Sequence, residues 1–306
     1  MHDLVSIYNK IKKTLKEVAK EYFTYGENSR FYPNPPKLSD LEIISLAICS
    51  EATQITSENY LWAKLKSDYK TMFTELPHRT RFNHRKKVLS QLLMKCTDSL
   101  ASHVIDPDDA LIIDSMPIPT CRVIRERKSK ACRRPEFDEI IADKGFNKVM
   151  GGYYIGYKFH LITTESGVYV DMLITKASTH DSIFLKLIEE SDQHLRNKTL
   201  LGDRGYIGKA TQLRLFDELK LNLDIPYRRN QKDFKKYAVS KKIKRKSIEV
   251  VFSQLCDEFS IKHNYAKRYD GFETRLYYKI ATKTFKQYWN LINGKSINKT
   301  KHAFAA

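Results

Sequence analysis

The chain has 306 residues and 42% hydrophobic content, enough for one large domain or two smaller ones around a real core, which excludes wholesale disorder. Its 54 Lys and Arg against 36 Asp and Glu leave a formal charge of +18, and so large an excess, unevenly distributed along the chain, points to a polyanionic partner, nucleic acid first. Five widely spaced cysteines with no Cys-x-x-Cys pair exclude a zinc ribbon or a disulfide framework. With no signal-peptide-like stretch and no bilayer-length apolar run, the expectation is a reduced, soluble, cytoplasmic protein without membrane association.

Residues 1–25 carry apolar positions at steps of three and four (Leu4, Ile7, Tyr8, Ile11, Leu15, Val18), which predicts a helix. Pro33, Pro35 and Pro36 break the next segment. Ser39-x-x-Glu42 is a capping-box signature that opens a second helix, and Tyr60, Leu61, Trp62, Leu65 and Tyr69 mark a third. After Leu76-Pro77 comes a basic helical stretch with Arg79, Arg81, Arg85, Lys86 and Lys87. Short helices followed by a basic one are compatible with a helix-turn-helix-like DNA reader, and equally with a helical cap whose cations are merely solvated.

The composition changes near Pro107-Asp108-Asp109, and strand-like segments dominate from Ala110. Ala110-Leu111-Ile112-Ile113 runs into Asp114, with Pro117 and Pro119 close behind, and reads as a buried strand that ends on a carboxylate. Residues 122–134 hold seven Arg or Lys in thirteen and read as an exposed loop or insertion. Two strands around Glu165-Ser166-Gly167 read as a hairpin, and residues 181–192 as a helix. Leu200-Leu201-Gly202-Asp203 is a second strand that ends on an acid. A helix over 213–219, a strand over 221–226, ten Arg or Lys in residues 228–246, and helices from Ile248 and from Gly271 complete the order. The pattern predicts a mixed α/β sheet flanked by helices, preceded by an all-helical domain.

Asp114 and Asp203 both close apolar strands, and if those strands are neighbours their carboxylates converge and need a cation between them. Glu249, beside the apolar stripe Ile248, Val251, Phe252, Leu255, is a third candidate. All-oxygen ligands suit Mg²⁺ or Mn²⁺, and two such ions can clamp an in-line phosphoryl transfer. Each acid also has a plain structural reading: a turn residue for Asp203, a first-turn acid for Glu249. His160 and His180 are weaker candidates, since a lone histidine on a strand is more often a satisfied core residue.

These blocks resemble bacterial insertion-sequence transposases with an Asp-Asp-Glu triad. Ile113-Asp114-Ser115-Met116-Pro117-Ile118-Pro119 is similar to their first-aspartate motif, Gly156-Tyr157-Lys158-Phe159-His160 to a hairpin strand, and Thr179-His180-Asp181 to the segment opening the next helix. Gly202-Asp203-Arg204-Gly205-Tyr206 resembles their second-aspartate motif, and Arg245-Lys246-Ser247-Ile248-Glu249 their glutamate helix. Leu76-Pro77-His78-Arg79-Thr80-Arg81-Phe82-Asn83 matches one branch, the insertion-sequence 982 family. The likeness covers roughly residues 38–290 in order and spacing. One departure stands out: of the Tyr-Arg-Glu-Lys signature in the related large group, Arg245 and Glu249 are kept, but Lys242 and Cys256 hold the other two positions.

The resemblance implies a ribonuclease-H-like catalytic domain over 106–292, with a basic insertion near 122–150. A helical DNA-binding domain over 1–105 precedes it and a polar tail over 293–306 follows. It implies two Mg²⁺ or Mn²⁺ ions bound by Asp114, Asp203 and Glu249, Asp114 bridging them. The reaction would be hydrolysis at element ends, then attack of the 3′-hydroxyl on target DNA. Double-stranded DNA (element ends and target) and a second copy of the chain are the expected partners, in the bacterial nucleoid, with no small-molecule cofactor. Expected DNA contacts are Arg79, Arg81, Arg85, Lys86, Lys87, Arg125, Arg127, Lys158, Arg204, Arg228, Arg229, Lys242, Arg245 and Lys246. The competing classes are a metal-dependent nuclease of repair or defence, and a non-catalytic DNA-binding derivative.

Overall fold

The computed structural model describes residues 3–148, 151–227, 234 and 236–304. Its elements in chain order begin with α1 (Leu4–Val18), α2 (Asp40–Ala52), α3 (Glu58–Asp68), α4 (Arg79–Val88) and α5 (Ser90–Ser102). There follow β1 (Leu111–Cys121), β2 (Asp143–Asn147), β3 (Gly152–Thr164), β4 (Tyr169–Lys176), α6 (Ile183–Leu187), β5 (Thr199–Leu201), α7 (Lys209–Leu219) and β6 (Asn222–Asp224). The last are α8 (Val239–Arg245), α9 (Ser247–Asp257) and α10 (Tyr269–Ile292). An N-terminal helical region thus precedes a mixed sheet flanked by helices, the ribonuclease-H-like α/β arrangement. The chain divides into two compact units: Met1–Val104 with Leu255–Ile261 and Asp270–Ala306, and Ile105–Gln254 with Lys262–Tyr269. No helix among the described residues is long and apolar enough to cross a membrane.

In the helical unit the Ser39–Glu42 capping box forms as its sequence predicts, the Ser39 hydroxyl accepting the Glu42 N–H and the Glu42 carboxylate accepting the Ser39 N–H. α2 is buried on nearly every side, as a helix apolar all round must be. It packs with the Leu4, Ile7, Ile11, Leu15 stripe of α1 and with Tyr278, Ala281 and Phe285 of α10.

The basic helix α4 departs from expectation. Arg85 and Lys86 are buried. The Arg85 guanidinium donates to Asp40 at 2.5 Å and to the Leu38 carbonyl. The Lys86 ammonium lies 3.6 Å from Glu58 and 4.9 Å from the Tyr278 ring centre. Burial pushes the Lys86 ammonium below its usual range, with Glu51 and Glu58 opposing. Burial would raise the Asp40 carboxyl, but hydrogen bonds from Ser29, Arg85 and Tyr32 hold it below the usual carboxylate range. Arg85 and Lys86 are therefore interior cations, unavailable to DNA, because the helix turns its Phe82 face into the core beside Trp62. Arg85→Ala is expected to cost about 3–5 kcal/mol by leaving Asp40 buried and unpaired. Urea unfolding should show a lowered midpoint, with exposed Arg81→Ala as the unchanged control.

The second unit holds a six-stranded sheet in the order β2-β3-β1-β5-β6, with β4 also paired to β3. β1 runs antiparallel to β3 on one side (Asp114↔Leu161) and parallel to β5 on the other (Leu111↔Leu200, Ile112↔Leu201). The parallel pairing of β5 with β6 extends the sheet. β2 and β4 share the far edge of β3, over 152–156 and 157–163 respectively. The expected hairpin is β3–β4, turning at Gly167 with φ +82°. The helix expected over 181–192 is only the one-turn α6. β2 was not anticipated; Asp-Lys-Gly-Phe-Asn has no apolar alternation and pairs only because β3 is long enough to template it.

Pro117 and Pro119 do not bound β1; they lie inside it, past the last β5 pair, where only the β3 side is laddered. A residue without an N–H is tolerated there. Opposite Pro119 stands Gly156, where a Cβ would fall 2.2 Å from the Ile118 carbonyl oxygen.

Candidate active site

The ladder places the two aspartates together. Ile112 and Leu201 are parallel partners, and partners in a parallel ladder face the same way. Asp114 lies two residues past Ile112, and Asp203 two past Leu201 on extended backbone (φ −88°, ψ −179°). Alternation therefore returns both side chains to the face that Ile248 of α9 covers by packing on Ile112 and Leu201.

Asp114 is half-buried, and its Oδ1 accepts the Ser115 N–H at 2.8 Å. Burial pushes its carboxyl up to about 7; Asp203 and Asp181 push the same way, while the Ser115 hydrogen bond and the Arg245 guanidinium oppose them. Asp203 caps a single 3-10 turn, its Oδ1 accepting the Gly205 N–H at 2.7 Å. A Cβ on Gly205 would lie 2.9 Å from Asp203 Oδ1 and 3.5 Å from Asp181 Oδ2, so glycine keeps the space between those carboxylates clear.

Asp181 is an acid that the motif reading left as a helix opener. Its Oδ1 accepts the Ser115 hydroxyl at 2.7 Å and lies 3.1 Å from the Lys158 ammonium, which also donates to the Thr179 carbonyl at 2.6 Å. The Tyr206 hydroxyl is buried, and burial together with Asp114, Asp181 and Asp203 raises its pKa well above the ordinary phenol value, with Ser115 opposing. Asp181 carried no strand-end signal like that of Asp114 and Asp203, because Ala177-Ser178-Thr179-His180 separates it from the end of β4. Ser115 and Lys158 had no such signal, because their roles depend on the β1–β3 register that sets Ser115 against His160 and Pro117 against Lys158.

Glu249 is exposed in the first turn of α9, beside the anchored Ile248. Among the described residues no three or more His, Cys, Asp or Glu side chains are gathered as a metal-ligand set. Asp114 and Asp203 share a face of the sheet, Asp203 and Asp181 act electrostatically on Asp114, and Glu249 lies on the covering helix. Arg245 acts electrostatically on Asp114. The donor chemistry is all oxygen, which suits Mg²⁺ or Mn²⁺. Asp203 and Asp181 both push the Asp114 carboxyl up, and a cation bound between such acids would offset that repulsion.

Of the remaining candidates, Arg81, Arg125, Arg127, Arg204, Lys242 and Lys246 are exposed. Arg79 lies 3.8 Å from Glu58, and Lys87 3.1 Å from Asp270. Lys158 is engaged by Asp181 as described, and Arg228 and Arg229 lie outside the described residues. His160 is fully buried, 2.9 Å from the Thr175 hydroxyl, with burial pushing its pKa down to about 4: a core histidine. His180 accepts the Ser182 N–H at 3.2 Å in a turn.

Comparison with known proteins adds a family. The model of the family described as a transposase DDE domain matches residues 105–268. No curated protein matches the chain. A cryo-EM structure of the piggyBac transposase synaptic complex with hairpin DNA is similar at a TM-score of 0.47 and 10% identity, covering 97% of this chain and 76% of that one. That likeness is too loose to bear on mechanism.

Proposed function

This chain belongs to the transposase DDE domain family, and from that premise we propose that it is an insertion-sequence transposase of the 982 branch. It hydrolyses a phosphodiester at each element end and joins the freed 3′-hydroxyl to target DNA. The observation that carries this reading is the shared register of Asp114 and Asp203, two residues beyond the Ile112↔Leu201 pair. Burial, Asp203 and Asp181 together push the Asp114 carboxyl up to about 7, a repulsion that a bound cation would offset.

When bound, a pair of Mg²⁺ or Mn²⁺ ions held by Asp114, Asp203 and Glu249 supplies the Lewis acid that activates the nucleophile and spreads charge on the phosphate oxygens. The chain's own residues do the positioning. The Ser115 N–H fixes the Asp114 carboxylate and its hydroxyl fixes Asp181. Asp181 and the Thr179 carbonyl hold the Lys158 ammonium in place beside the site. Arg245, close enough to act on Asp114, takes the scissile or neighbouring phosphate. Exposed Arg81, Arg125, Arg127, Arg204, Lys242 and Lys246, with partly exposed Arg79, supply sequence-independent backbone contacts. Joining two ends calls for a dimer on DNA.

The test is incubation of the purified protein with Mg²⁺ and duplexes carrying the inverted repeats that flank its gene. The expected products are a nick at the element's 3′ end and strand-transfer junctions. Absence of cleavage across metals and salts would overturn the enzymatic reading. Duplex affinity should also fall steeply between 50 and 200 mM salt, by about 10³-fold for six phosphate contacts.

A further inference from the structure

At the far end of β1 the second unit carries a cavity of about 980 Å³, lined by Arg122, Ile124, Arg125, Lys128, Tyr265 and Lys267 among others. That is the size of pockets that take whole organic ligands rather than a lone ion. Thr120 and Cys121 form part of its wall, six and seven residues beyond Asp114. On an extended strand this is roughly 20 Å from the aspartate pair, so the cavity is a separate place from the scissile position.

The walls are fixed. The Cys132 N–H donates to the Lys267 carbonyl at 3.0 Å, and the Ala142 N–H donates to the Cys132 carbonyl at 2.8 Å. The Tyr157 hydroxyl donates to the Ile140 carbonyl at 2.7 Å. Asp138, buried, accepts the Arg134 N–H and the Tyr269 N–H, both at 2.8 Å, and so ties the two wall segments at their bases. The segment 122–134 is therefore tied down at its C-terminal end, at Cys132 and Arg134.

Its lining is unusual in pairing charge with exposed apolar surface. Arg122, Arg125, Lys128 and Lys267 make no ion pair among the described residues. Between them Tyr265 is 76% exposed and Ile124 91% exposed. Cations on the rim suit phosphates, and an open aromatic ring beside them offers a stacking face for a flat group. Within a duplex the base faces are covered by their neighbours, so away from its ends an unpaired base is what can stack on Tyr265. A second hollow of about 490 Å³, lined by Glu126, Arg127, Lys130 and Arg133, shares Ser129 with the first and adds three cations and one acid.

We propose that this cavity binds unpaired DNA, with Tyr265 stacking a base while Arg122, Arg125, Lys128 and Lys267 hold the flanking phosphates. The proposal rests on the reading of the chain as a DNA-cutting enzyme, and extends it: the protein grips a single-stranded stretch at a place remote from the cut.

Fluorescence anisotropy on the full chain at 150 mM salt tests it, with a labelled 20-nucleotide oligo-dT and a labelled blunt 20-base-pair duplex as probes. Tyr265→Ala should weaken oligo-dT binding about tenfold and change duplex binding less than twofold, while Tyr265→Phe keeps both. Arg125→Glu with Lys128→Glu should weaken oligo-dT binding further. Tyr265 is exposed, so an unchanged melting curve will exclude misfolding. Light-induced crosslinking of 5-iodouracil in the same oligonucleotide should place the adduct on Tyr265. Unchanged oligo-dT affinity in Tyr265→Ala, or equal loss on both probes, overturns the cavity proposal alone. Failure of the wild type to bind either probe at any salt overturns the DNA reading itself.

Discussion

Replacing Asp114 by asparagine is expected to give a protein that no longer cleaves DNA and yet, in chelator at pH 8, unfolds at higher denaturant than the wild type. The sign follows from the raised pKa. The Asp114 carboxyl titrates near 7 in the folded chain against an ordinary value of 3.8. The folded state therefore holds the proton more tightly than the unfolded one, and stability declines as pH rises from about 4 to about 7, with the full deficit present above that window. About three pKa units correspond to a ceiling of about 4 kcal/mol; for a half-buried group about half of that is the reasonable expectation. The advantage of Asp114→Asn should shrink towards zero by pH 4. Added Mg²⁺ should stabilise the wild type and leave Asp114→Asn nearly unmoved. Urea midpoints at pH 4, 6 and 8, with and without Mg²⁺, check all three points. Equal stability of both proteins at every pH would show that this carboxylate carries no such burden. Equal cleavage would show that the cutting chemistry lies elsewhere.

Gly156→Ala should be among the most damaging small substitutions in the chain. An added Cβ would stand 2.2 Å from the Ile118 carbonyl oxygen and 2.9 Å from Pro119 Cα, both backbone atoms that cannot swing aside. The β1–β3 pairing would have to open at the place where it positions Ser115 and Lys158. A cost of about 3 kcal/mol or more is expected, in the range reserved for such steric mechanisms. Gly152→Ala on the same strand meets nothing within 4 Å and should be neutral within about 0.5 kcal/mol. Denaturant midpoints of the two variants, side by side, decide the matter; equal effects would mean that the close approach is not real.

Several features were legible because their causes are local. The capping box at Ser39 and Glu42 depends on residues three apart. The β3–β4 hairpin depends on Gly167, and strand β5 on a short apolar run before a glycine. α6 was over-read because its apolar spacing continues past a chain that turns extended at Ile188 (ψ 128°). The basic character of residues 79–87 was plain, but not the direction in which each cation points. Arg85 meets an aspartate 45 residues away, and Lys87 one 183 away.

By itself the sequence determined the +18 charge, a helical region ahead of a mixed sheet, and the aspartates Asp114 and Asp203 after apolar runs as candidates. Each of these is written in neighbouring residues. Only the tertiary structure decided that Asp114 sits mid-strand and that its partner lies in the same register of a parallel ladder. It alone brought in Asp181, held by Ser115 and Lys158, and it alone assembled a cationic cavity from segments more than 130 residues apart. The reason is physical. A carboxylate's neighbours are chosen by strand pairing and by the desolvation cost of leaving it alone, and neither quantity exists until distant parts of the chain have met.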